Sequence, residues 1–281
     1  MNFGGIPEEF SAANNSKVVI LPVPYDGTST WGKGADKGPE AILEASANME
    51  LFDIETRSEP YKVGIYTAGP ITEKNSPEQM AAAVKEQVIS YIENGSFVIT
   101  IGGEHSVSIG AIQAHAAEYE DISVLQIDAH TDLREEYEGS AFNHACVMAR
   151  AREIAPIVQV GIRSMSEDEV IRDPGSVFFA HEIRKNDNWK RNVIDTLKDK
   201  VYLTIDLDGF DPSIVPSTGT PEPGGLYWYE TLELLKMLAE EKDLIGFDVV
   251  ELCPDPSAKA SDFLAAKLIY QLLAYKFILK R

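Results

Sequence analysis

Cysteine is scarce in this chain: Cys146 and Cys253 are the two present, and neither stands in a CxxC or Cys/His pattern. A disulfide framework and a thiolate zinc site are thereby excluded as organising features, and both are expected to be reduced thiols. Long apolar runs are also missing, with nothing near the roughly 20 residues needed to cross a bilayer. The opening Met1 to Phe10 lacks the basic head and apolar centre of a signal peptide, so a cytoplasmic location is expected. Positive charge is short too. Against 45 acidic residues stand 25 Lys and Arg, a formal net charge of −20. Nucleic acid and anionic membrane would be repelled as partners, whereas a cationic small molecule would be drawn in.

What is present suffices for a sizeable core: 281 residues, 44% of them hydrophobic. No low-complexity linker or internal repeat divides them, so one domain spanning residues 1–281 is expected. Strand, loop and helix alternate along it. Lys17 to Pro24 reads as a strand, followed by a Gly-, Thr- and Ser-rich loop and a helix opened by Pro39. A helix over 77–93, stopped by Gly95, precedes a strand at 96–101. Residues 123–127 and 201–205 are apolar and β-branched enough for buried strands of a parallel sheet. Further strands are predicted at 157–162, 177–179 and 244–250, with helices near 189–198, 229–241 and 262–276. The pattern predicts a three-layer α/β/α domain with a mainly parallel central sheet and its ligands beyond the carboxyl ends of the strands.

Three of those strand ends carry metal-binding side chains: Gly103-Glu104-His105-Ser106, Asp128-Ala129-His130-Thr131-Asp132, and Asp206-Leu207-Asp208-Gly209-Phe210-Asp211. Because side chains alternate along an extended chain, Asp128, His130 and Asp132 are expected on one side, as are Asp206 and Asp208. Each piece alone has another reading. His105 could cap a loop, 128–132 could open a helix, and 206–211 superficially resembles a calcium loop, although its glycine and glutamate spacing is wrong. The conjunction favours metal, since several carboxylates at the ends of apolar strands are costly unless paired or metal-bound. Oxygen and imidazole donors suit Mn²⁺ best, with Ni²⁺, Fe²⁺, Zn²⁺ or Co²⁺ as alternatives. An arrangement with two ions has Asp128 and Asp206 bridging, His105 and Asp132 completing one ion, and His130 and Asp208 the other. Two such ions acidify a shared water, and hydrolysis follows as the reaction class.

At these residues the chain resembles the ureohydrolases, the arginase and agmatinase family. The resemblance rests on Gly-Gly-Glu-His-Ser at 102–106, Asp-Ala-His-Thr-Asp at 128–132 and Ser-Thr-Gly-Thr-Pro-Glu-Pro-Gly-Gly-Leu at 217–226. It extends from Pro24-Tyr25-Asp26 to Asp248-Val-Val-Glu251. It implies an arginase-like fold and two Mn²⁺ per subunit, bound by His105, Asp128, His130, Asp132, Asp206 and Asp208. It also implies a trimer or hexamer. Glu251 matches the residue that holds the substrate guanidinium, and His144 matches a proton-shuttling histidine. The implied chemistry is attack of a metal-bridging hydroxide, hydrogen-bonded to Asp132, on the guanidinium carbon, with His144 relaying a proton to the departing amine.

Within that family, arginases carry an Asp after a mid-chain Gly-x-Arg, where this chain reads Gly161-Ile-Arg-Ser164. The loop from Tyr137 to Met148 also looks more like agmatinases. Agmatine, hydrolysed to putrescine and urea in polyamine synthesis, is therefore the expected substrate. Arginine, guanidinobutyrate, guanidinopropionate, formiminoglutamate and free guanidine remain open, because the metal core is common to enzymes acting on all of them. A metal-binding homologue without catalysis is the alternative of another class. Glu135, Glu136 and Glu138 are candidates for the acidic entrance that a second positive charge would favour.

Overall fold

The computed structural model describes residues 1–279. Its centre is a sheet of β1 (Val18–Val23), β2 (Ile65–Thr67), β3 (Phe97–Gly102), β4 (Ile122–Ile127), β5 (Ile157–Ile162), β6 (Val177–Phe179), β7 (Lys200–Asp206) and β8 (Asp243–Val250). All pairings are parallel, in the order β2-β1-β3-β8-β7-β4-β5-β6. The chain builds outward first, leaving a gap between β3 and β4 that β7 and β8 later fill. Four adjacent strands, β3-β8-β7-β4, therefore bring their carboxyl ends together around the place where the winding reverses, where ligands of open α/β sheets lie.

Helices cover both faces. On one, Gly38–Ser46, Trp189–Thr196, Trp228–Glu241 and Ala260–Ala274 bury residues against Ile20, Ile99, Leu203, Ile205 and Phe247. On the other, Pro77–Glu93, Val107–Glu118 and Val147–Ala151 pack on Val19, Leu21, Val98 and Tyr202. Local chemistry explains the ends. Ser76 accepts from the Gln79 amide (3.2 Å) with Pro77 in the first turn, and Gly95 follows the helix in the left-handed region at φ 80°.

The predicted strands agree within one or two residues, and the helix over 77–93 matches its predicted span. The helix predicted to 276 is α-helical to Ala274 and continues as a π-turn, Tyr275–Leu279. Several elements lacked a signal, among them β2 and the helix Val107–Glu118. β2 is three residues long, too short to show a period. Val107–Glu118 buries Val107, Ser108, Ile109, Gly110, Ala111, Ile112, Ala114 and His115, so it has no wide polar face to set up a helical stripe. No helix among the described residues is long and apolar enough to cross a membrane. Cys146 and Cys253 are both free.

Candidate metal centre and cavity

β3, β4, β7 and β8 lead directly into His105, Asp128, Asp206 and Glu251. Close approach of their loops depends on glycine at two places. A Cβ on Gly103 would overlap the Tyr25 carbonyl, and one on Gly209 would lie 2.9 Å from the Asp128 amide nitrogen. The convergence is not produced by strand alternation as the sequence suggested. β4 ends at Ile127, and Asp132 takes a left-handed φ of 50° that turns its carboxylate back toward the cluster. β7 ends at Asp206, whose Oδ1 accepts from the Asp208 amide (2.8 Å) in a 3₁₀ turn over Leu207–Gly209. That turn, rather than the pleat, sets Asp206 beside Asp208.

His105 Nδ1 lies 2.8 Å from Asp132 Oδ2, 3.2 Å from Asp128 Oδ2 and 3.4 Å from Asp206 Oδ2. His130 Nδ1 lies 3.0 Å from Asp208 Oδ2 and 3.6 Å from Asp128 Oδ1. The two Asp128 oxygens thus face different histidines, as a bridging carboxylate requires. Asp206 directs Oδ2 at the cluster, its Oδ1 being taken by the Asp208 amide.

These residues fit a pair of divalent ions. His105 Nδ1 is buried and has no hydrogen-bond partner, although three carboxylate oxygens lie within 3.4 Å of it. Donor atoms at that spacing without hydrogen-bond alignment share a common focus, which a cation supplies. The tautomer agrees. Thr204 Oγ1 donates to Asp248 Oδ1 (2.7 Å), so it accepts from His105 Nε2 (2.9 Å), and Nδ1 keeps a lone pair for a metal. Charge agrees as well: burial works against a cationic His105 and His130, yet the surrounding aspartates hold both well above the ordinary imidazole range. The cluster calls for positive charge. The atoms of His105, Asp128 and Asp132, and those of Asp128, His130 and Asp208, lie within 4.8 Å of one another.

The cluster forms the floor of a cavity of about 390 Å³ lined also by Thr30, Arg134, Tyr137, His144, Ser164, Ser166, Thr220 and Glu251. Glu251 sits in the left-handed region (φ 65°), with Oε1 accepting from the His105 amide (2.7 Å). Burial, then the neighbouring Glu104, pushes its carboxyl well above the usual range, so an arriving cation relieves it. Burial, then His105 and His130, pushes His144 down to about 4, leaving a neutral ring at the cavity wall. Glu135 belongs elsewhere: Arg150 (3.0 Å) and Arg152 (2.5 Å) engage it, and neither it, Glu136 nor Glu138 lines the cavity.

Several residues that hold this arrangement were not anticipated. Gln126 Nε2 donates to Asp128 Oδ2 (2.6 Å), and Gln159 Nε2 donates to Gln126 Oε1 (2.6 Å) and the Thr131 carbonyl (2.8 Å). Glu169 accepts from Thr131 Oγ1 (2.6 Å) and the amides of Leu133 (3.0 Å) and Ser166 (2.5 Å), tying two cavity walls together. Arg163 donates to the carbonyls of Asp208 (2.6 Å) and Glu222 (2.8 Å). Polar residues inside otherwise apolar strands, such as Gln126, Thr204 and Asp248, were the available signal.

The Arginase family model matches residues 16–274. The N(1)-aminopropylagmatine ureohydrolase of Synechocystis sp. is 41% identical over 280 residues, covering 95% of this chain and 92% of that protein. The agmatinase of Pyrococcus horikoshii is 33% identical over 261 residues, 91% of this chain and 90% of that one. Among solved structures, the agmatine ureohydrolase of Thermoplasma volcanium superposes with a TM-score of 0.88 at 31% identity, covering 98% of this chain and 95% of that one.

Proposed function

The chain belongs to the arginase family and is a metal-dependent hydrolase acting on guanidino groups, and we propose that it releases urea from a linear guanidinoalkyl amine, agmatine being the simplest. The observation that carries this reading is the shared cavity: the carboxylate cluster, Glu251 and His144 all line it. His105, Asp128, His130, Asp132, Asp206 and Asp208 would hold two divalent ions, Mn²⁺ being the metal we propose, and these would supply an activated water and stabilise charge on the attacked group. Glu251 spends Oε1 on the His105 amide and offers Oε2 to the planar guanidinium. Asp132, turned inward by its backbone, accepts a hydrogen bond from the attacking water. His144 passes a proton to the nitrogen that departs, which leaves as an amine instead of an unstable amide anion. Agmatine yields putrescine and urea, a step of polyamine synthesis.

Ser164 stands at the cavity wall where an amino-acid head would need an acidic partner, which favours a substrate without that head. A longer substrate is the second reading. The Synechocystis relative is named for N(1)-aminopropylagmatine, whose hydrolysis leaves the corresponding triamine. A homotrimer or hexamer is proposed for the assembly, to be read by light scattering.

The test is urea release from Mn²⁺-loaded protein with agmatine, N(1)-aminopropylagmatine, arginine, guanidinobutyrate and guanidine in parallel. We expect one of the first two to exceed arginine in kcat/KM by at least about 100-fold. Arginine or guanidinobutyrate winning would overturn the substrate; no urea from any of them would overturn the enzyme. His144→Ala should keep its metal and lose turnover.

A further inference from the structure

We infer that Thr28, anchored by Glu104, holds His144 in the tautomer with its proton on Nδ1, making Nε2 the atom that exchanges protons at the cavity. This rests on the reading of His144 as the proton relay. Thr28 Oγ1 is 2.8 Å from Glu104 Oε1, 3.1 Å from His144 Nδ1 and 3.0 Å from the His144 amide nitrogen. A hydroxyl has one proton to give and two lone pairs to fill. The recipient of the proton is Glu104. Its side chain is buried and accepts from the Thr28 amide (3.2 Å), the Ser106 hydroxyl (2.9 Å) and the Ser106 amide (2.7 Å) as well as from Thr28. As a carboxylate, with the amides of Thr28 and Ser106 and both hydroxyls converging on it, Glu104 can only accept, so Oε1 takes the Thr28 proton. It is also the shorter contact and the stronger acceptor.

With the hydroxyl proton committed, the lone pairs of Oγ1 receive the His144 amide and Nδ1–H. The direction of the chain is therefore set from its buried end: Glu104 orients Thr28, and Thr28 orients the ring. Two further contacts hold the ring plane. Asn143 Oδ1 accepts from the Ala145 amide (3.1 Å), fixing the 3₁₀ turn on which His144 sits. Tyr137 meets the imidazole edge-on, with centroids 6.1 Å apart at 84°. The Nδ1–H···Thr28 bond survives when Nε2 takes up a proton, so the ring can load and unload without turning. Thr28 is a positioning residue: it acts through His144.

Thr28→Val removes the hydroxyl at nearly constant shape. Its kcat should fall about 10- to 100-fold with KM and metal content little changed, the range set by the worth of a positioned proton carrier. Thr28→Ser should restore most of the loss. Independently of turnover, ¹⁵N spectra of histidine-labelled, Zn²⁺-loaded wild type should show the His144 signal, identified by its disappearance in His144→Gln, with Nδ1 protonated and Nε2 bare. Thr28→Val should show both tautomers. A wild-type spectrum with the proton on Nε2, or a Thr28→Val enzyme of unchanged kcat, would overturn the inference. Absence of urea from every guanidino compound with the wild-type enzyme, alongside the Nδ1–H spectrum, would instead overturn the reading of the reaction and leave the tautomer assignment standing.

Discussion

Two histidines of this molecule are held by the same device, a carboxylate that orients a threonine that orients an imidazole, but the parts come from different places. At His105 the chain is Asp248, Thr204 and His105, borne on β8, β7 and the end of β3, and each of the three is at most 1% exposed. At His144 the chain is Glu104, Thr28 and His144: Glu104 is buried beside His105 just after β3, Thr28 lies on the loop that follows β1, and His144 on a 3₁₀ turn at the cavity wall. On the proposed reading, the imidazole that would hold a metal is braced by the sheet. The one proposed to exchange protons has Nδ1 braced by Thr28 and lines the cavity. The fold thus places rigidity at the strand ends and turnover on the loops above them.

Breaking the sheet side should cost most. Asp128→Ala removes the carboxylate shared by both histidines, and binding of both ions should be lost in calorimetric titration, with activity down about a thousandfold or more; binding at wild-type stoichiometry would refute the bridging role. Acid is the next probe. His115 packs at a tilt against Tyr202 (4.6 Å between ring centroids), which donates to the second oxygen of Asp248 (2.6 Å), and burial pushes His115 down to about 4. The unfolded chain then binds a proton that the native state refuses, so stability present above pH 6.5 falls as pH drops toward 4, by about 3 kcal/mol over that window. Denaturant melts of His115→Asn should lose this part of the acid sensitivity; identical pH slopes would contradict it. Thr204→Val strands His105 Nε2–H and removes a donor from Asp248 Oδ1. A loss of about 2 kcal/mol in stability is expected, together with a 10- to 100-fold fall in metal affinity of about the size that outer-shell changes cause. That outcome sharpens the comparison, because Thr28→Val on the loop side should leave metal affinity alone. Smallest is Gln126→Leu, which frees Asp128 Oδ2 from its amide donor and should weaken metal binding about tenfold.

The sequence showed the strands and the ligands well, because both are carried by local signals: β-branched runs for β4 and β7, and paired carboxylates and histidines directly after them. Family resemblance supplied His144 and Glu251, whose own surroundings looked like ordinary loop and strand-end positions. The braces were illegible for a physical reason. Thr28 and Glu104 are 76 residues apart, Thr204 and Asp248 are 44 apart, and their pairing depends on the order in which β7 and β8 fill the sheet. The turns at Asp132 and Asp206 likewise depend on tertiary contact, so alternation was extended past strands that end sooner.

The most direct test of the whole account is a count of tightly bound Mn²⁺ per chain after equilibration and desalting, by elemental analysis of the wild-type protein. Two ions per chain are expected, one beside each histidine of the cluster. A protein that saturates at one ion, or holds none, would contradict the shared role of Asp128 on which the site is built.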